Sequence, residues 1–97
     1  MNPESVPEEL LAVRDKIDAI DEQMVELPAQ RFDLTHQVGL LKADKELSAV
    51  DSSREAQKLA RLTELCEARG LNAQLVTELF SSIMREVVQN HEKLRQS

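Results

Sequence analysis

Leu10, Val13, Ile17, Ile20, Met24, Leu27, Leu34, Val38 and Leu41 fall on alternating steps of three and four, which keeps one apolar stripe in phase along a single helix. No other feature constrains the fold as tightly. A helix from Pro7 to about Ala43 is roughly 55 Å long at 1.5 Å per residue. A lone domain of 97 residues is only about 25–30 Å across. Such a helix cannot bury its stripe within its own domain, so it needs a partner helix, most simply that of a second copy. Pro7 suits the first turn, with Glu8 and Glu9 favourable at the positive helix end.

The stripe has one irregular slot. Arg31 stands between Leu27 and Leu34, where the pattern calls for a core residue. A buried guanidinium is costly unless an anion meets it, which points to a small anionic ligand held between helices. Arg14 and Lys42 lie on the same helix and Arg54 opens the next, a basic set in a chain of net charge -6. Arg31 and Lys42 are eleven residues apart, on similar helix faces, with Cα atoms about 16 Å from each other. Two long side chains can close that gap around a small ligand. Arg14 lies about 25 Å along the helix from Arg31, too far to share the ligand within one chain. An antiparallel partner helix can deliver a second copy of Arg14, giving a shared site that occurs twice in a symmetric dimer.

Each of these residues also has a plainer role. Arg14, with Asp15 and Asp18 close in sequence, can be half of a surface ion pair. Lys42 suits a negative helix end, and Arg54 and Glu55 suit a first turn. His91 on an apolar face can be a satisfied core histidine.

Pro28 is the misfit in the long helix, because it removes a hydrogen bond to the Met24 carbonyl and crowds it at a cost of about 3 kcal/mol. The stripe keeps its phase across the proline, which favours a kinked helix over two separate ones. A polar stretch from Asp44 to Val50 follows. The second helix begins at Asp51 or Ser52, with Ser52 and Glu55 matching a capping box and Leu59, Leu62 and Cys66 on its apolar face. Gly70 is placed to end it, and Asn72 to cap a third helix with the face Val76, Leu79, Phe80, Ile83, Val87, His91 and Leu94.

The expected fold is therefore all-α, three helices per chain, one very long and two shorter, in an intertwined helical homodimer. The only aromatic residues are Phe32 and Phe80, so a monomer has a thin core, which oligomerisation remedies. Residues 1–97 read as one free-standing domain, with 1–6 and 95–97 as flexible tails and no regulatory domain. The acidic balance argues against nucleic acid, which wants a basic stripe and stacking aromatics. Cys66 has no internal disulfide partner and reads as a small core residue in a reducing compartment. No apolar run reaches the length of a membrane span, and the N-terminus lacks the layout of a signal peptide. A cytoplasmic protein is expected.

Arg14, Arg31, Lys42 and the Arg54–Glu55 pair on this plan resemble the all-helical chorismate mutases. The strings LLAVRDKIDAIDEQM, AQRFDLTHQVGLLK and VDSSREA carry the likeness, which runs from about Pro7 to Leu94. The resemblance implies an intertwined homodimer that converts chorismate to prephenate by a Claisen rearrangement, with no cofactor and no metal. Arg14 of one chain and Arg31 of the other would then clamp the substrate's two carboxylates, a task that suits the planar guanidinium fork. Lys42 would donate to the ether oxygen as negative charge grows there, Arg54 would add a positive contact, and Glu55 with the backbone near Asp51 would hold the ring hydroxyl.

Three positions depart from the family's usual pattern. Pro28 replaces a helix-friendly apolar residue one turn before Arg31. Val87 stands where some members place a small hydroxyl residue near a carboxylate. His91 occupies the position of a glutamine or glutamate that makes the second contact to the ether oxygen, and an imidazole N–H can substitute there. Gln89 is turned about 200° away from that position. The same scaffold hosts isochorismate-pyruvate lyases and aminochorismate mutases, and a non-catalytic helical dimer fits the stripe as well. A partner enzyme of the shikimate pathway could also raise a weak intrinsic activity. The Arg54–Glu55 pair favours the ordinary mutase.

Overall fold

The computed structural model describes residues 6–96 and contains three α-helices: α1 (Glu8–Asp44), α2 (Ser52–Arg69) and α3 (Ala73–Gln96). By compactness the chain divides between Asp33 and Leu34, inside α1. The expectations for residues 1–5 and 97 lie outside the described residues. Arg95 and Gln96, read from the sequence as tail, belong instead to the last turn of α3.

In the first unit, the Pro7 carbonyl accepts from the amides of Leu10 and Leu11, so Pro7 precedes the first turn instead of lying in it. Glu8 and Glu9 occupy that turn, as charge placement at a helix N-terminus favours. Pro28 lies inside α1, which continues through it as one helix. Leu10, Val13, Ile17, Ile20, Met24 and Leu27 of the stripe are all exposed in the single chain.

In the second unit, α2 packs on α3. Cys66 of α2, His91 of α3 and Ala49 of the preceding loop are each 3% exposed. Cys66 is a free thiol in this core, as expected. Both helix ends here close on the same double hydrogen bond. Leu47 N–H donates to Lys42 O and Glu46 N–H to Ala43 O; Leu71 N–H donates to Cys66 O and Gly70 N–H to Glu67 O. The pairs form the motif in which a left-handed residue stops a helix and satisfies its last carbonyls. Gly70 takes that role at φ 68° and Glu46 at φ 56°, a conformation that a side chain disfavours.

The start of α2 differs from expectation. Asp51 is the cap: its Oδ1 accepts from Arg54 N–H at 3.0 Å, and its carbonyl accepts from Glu55 N–H. The Ser52–Glu55 box does not form, because the helix already includes Ser52 as its first residue. Asn72 caps α3 as expected, with Oδ1 accepting from Gln74 N–H at 3.0 Å and Leu75 N–H at 3.4 Å.

Candidate active site

Arg14 is exposed on α1 and forms no ion pair with Asp15 or Asp18; among the described residues the only such pair joins Arg61 and Glu64. Arg31 is half-buried, and its Nη1 is shielded from solvent with no hydrogen-bond partner. That is an uncommon state for a guanidinium nitrogen, whose desolvation is costly unless a partner compensates it. Among the described residues, no carboxylate engages either arginine.

Six more candidates lie in the second unit, His91 among them. Lys42 is half-buried in the last turn of α1, just before the Glu46 turn that closes the helix. Arg54 is exposed in the first turn of α2, where Asp51 accepts from its backbone amide. Asp51 is exposed, and its capping bond fixes the loop-to-helix junction that carries Arg54 and Glu55. Glu55 is half-buried and lines a cavity of about 410 Å³ between α2 and α3, together with Leu59, Met84 and Gln89. Val87 is half-buried on α3.

His91 is the one buried candidate, the others being half-buried or exposed. Its Nε2 lies 2.9 Å from the Thr35 carbonyl oxygen. Its Nδ1 is shielded and has no partner. The cavity therefore gathers Glu55 and Gln89, while His91 sits against α1 on a different side of α3. This agrees with the separation of Gln89 from His91 expected on helical geometry.

Two residues escaped the sequence reading. Gly39 makes room for His91: a Cβ there would lie 2.6 Å from Cδ2 of His91 and 2.7 Å from Cδ1 of Leu94. The available signal was a glycine inside a strong helix, which costs up to about 1 kcal/mol relative to alanine and asks for a close approach in return. Arg95 donates from Nη1 to the Leu47 carbonyl at 2.6 Å, bracing the loop that leads to Asp51. Nothing local in the sequence announces that bond.

The family model described as chorismate mutase type II matches residues 13–92. The chain belongs to that family. The chain is 38% identical over 87 residues to the bifunctional chorismate mutase/prephenate dehydratase of Escherichia coli strain K12, covering 90% of the chain and 22% of that protein. It is 36% identical over 78 residues to the T-protein of Enterobacter agglomerans, covering 80% of the chain and 21% of that protein. A bifunctional chorismate mutase/prephenate dehydratase of Enterobacter agglomerans matches at 34% over 96 residues, 99% of the chain and 24% of the relative. The chain thus spans less than a quarter of the length of these relatives. The family match includes every residue of the basic set and His91.

No helix among the described residues is long and apolar enough to cross a membrane.

Proposed function

We propose that this chain works as a homodimer that rearranges chorismate to prephenate, in the formation of phenylalanine and tyrosine. The observation that carries this reading is the shielded, unpartnered Nη1 of Arg31 in a slot where the stripe calls for an apolar residue. A desolvated cation without a protein partner suits a ligand that brings its own negative charge, and chorismate carries two carboxylates. The exposed stripe of α1 supports the dimer, because those side chains are spaced to be covered by a second long helix.

In the rearrangement the ether C–O bond breaks while a new C–C bond forms between the enolpyruvyl arm and the ring, all within one molecule. Arg31 and the Arg14 of the second copy hold the two carboxylates and so fold the arm over the ring. Orientation of this kind replaces entropy that the free molecule must lose. Lys42 and His91 donate to the ether oxygen as it gains charge, an interaction stronger in the transition state than in the substrate. Glu55 and the backbone near Asp51 take the ring hydroxyl, Arg54 adds positive potential, and Val87 packs beside a carboxylate. No redox step and no covalent enzyme intermediate is involved, so the reaction calls for no cofactor. The buried thiol of Cys66 suits the reducing cytoplasm, where we place the chain.

The test is the loss of chorismate's ultraviolet absorbance with purified protein, with the product identified by chromatography. Prephenate formed at enzymatic turnover, and lost in Arg31→Ala, is the expected result. Turnover of isochorismate to pyruvate instead, or no conversion by a well-folded dimer, would overturn the reading.

A further inference from the structure

Because a carbonyl oxygen can only accept, the contact between His91 Nε2 and Thr35 O fixes a proton on Nε2. The ring is also confined. Its Cδ2 edge lies over the hydrogen-only side of Gly39, where even a methyl group would come within 2.6 Å. Nδ1 lies across the ring from that edge, shielded from solvent and without a partner. With Nε2 engaged, Nδ1 is the only nitrogen left for a ligand. In the neutral ring Nδ1 is a bare lone pair, which meets an ether oxygen as acceptor against acceptor. Only the imidazolium presents N–H at both positions.

From this we infer that Gly39 and the Thr35 carbonyl are positioning elements that lock His91, so that it donates to the substrate through Nδ1 and only when protonated. The inference rests on the mutase reading and specifies the donor in that site. No proton is transferred: imidazolium donates a hydrogen bond and keeps its proton throughout. The residues packed on the ring, Thr35, Gly39 and Leu94, are uncharged. The titratable residues of α1 within four positions of Thr35 or Gly39 are Arg31, Asp33, His36 and Lys42, and those within four of His91 on α3 are Glu92, Lys93 and Arg95; none of them is hydrogen-bonded or ion-paired to the ring. A glutamine at the same position donates at any pH.

Two measurements test this. The first is the pH profile of kcat for the wild type beside His91→Gln. In the wild type, kcat falls by up to roughly tenfold per pH unit as the ring loses its proton, while the variant stays flat over that range. Parallel profiles would overturn the inference and leave the mutase reading intact. A wild type that converts no chorismate at any pH would overturn both. The second is a double-mutant cycle of Gly39→Ala with His91→Ala. Gly39→Ala lowers kcat about tenfold or more with little change in KM, yet has no further effect once His91 is alanine. Equal losses in both backgrounds would reduce Gly39 to a packing residue and sink the positioning role. Should Gly39→Ala fail to fold, the ¹⁵N shifts of His91 in the wild-type protein decide the geometry. A neutral ring protonated on Nε2 supports it, and one protonated on Nδ1 refutes it.

Discussion

Residues 8–33 bury no side chain, whereas residues 34–96 bury Gly39, Ala49, Cys66 and His91. In the first region Ile17, Ile20 and Met24 remain 49%, 56% and 57% exposed, although they fall on one helical stripe. In the second, Cys66 and His91 are 3% exposed, because α2 packs on α3 and α1 accepts the His91 ring at Gly39. The stripe's helical period is written locally, since residues three and four apart share a face whatever surrounds them. Burial is never local. The second region buries Cys66 and His91 within its own chain, while its part of the stripe, Leu34, Val38 and Leu41, stays as exposed as that of the first, which the proposed second copy would cover.

The most severe challenge to this contrast is Ile17→Asp, which puts a charge into the stripe without touching the second region. It should dissociate the dimer at micromolar concentration in sedimentation velocity and lower kcat/KM by at least about 100-fold. A mutant dimer that stays intact would mean that the stripe faces water in the working protein. The proposed shared site is tested by complementation. Arg14→Ala and Arg31→Ala should each lose about 100-fold or more in kcat/KM. Refolded together, they should recover roughly a quarter of wild-type activity, because half of the dimers are mixed and each of those has one intact site. No recovery would place both arginines in the same chain's site.

Smaller effects separate the helix ends of the second region. Asp51→Ala removes the side-chain acceptor at the α2 start and should cost about 1 kcal/mol, read as a lower denaturant midpoint. Gly70→Ala should cost about 1 kcal/mol through backbone conformation alone, since a Cβ there meets nothing within 4 Å. Glu46→Gly should act in reverse, raising stability by up to about 1 kcal/mol at the corresponding turn after Lys42. A destabilised Glu46→Gly would show that the Glu46 side chain contributes more than its strained backbone costs.

Much of this was legible beforehand. Gly70 and Asn72 marked a helix stop and a helix start, because the chemistry of a left-handed cap and of an amide acceptor acts over a few residues. The α2 start was less legible. Asp51 and Ser52 are adjacent residues of equal capping ability, and the backbone at Asp51 (φ -125°, ψ 88°) decides between them. Glu46 carries no sign of the turn it makes, since glutamate is a helix former. Arg95 reads as a solvated tail until the Leu47 carbonyl comes within reach of it. Gly39 was visible only as a weak spot in a helix.

What the sequence determined by itself is the set of three helices, the apolar stripe of α1 and the placing of Arg14, Arg31, Lys42 and Arg54 along them. All of these follow from spacing within one element. Tertiary structure alone decided that His91 engages Thr35 through Nε2, 56 residues away, and that its Nδ1 is shielded without a partner. The reason is physical. Periodicity is set by neighbours three and four residues apart, whereas the desolvation of a single nitrogen depends on atoms that only packing brings near.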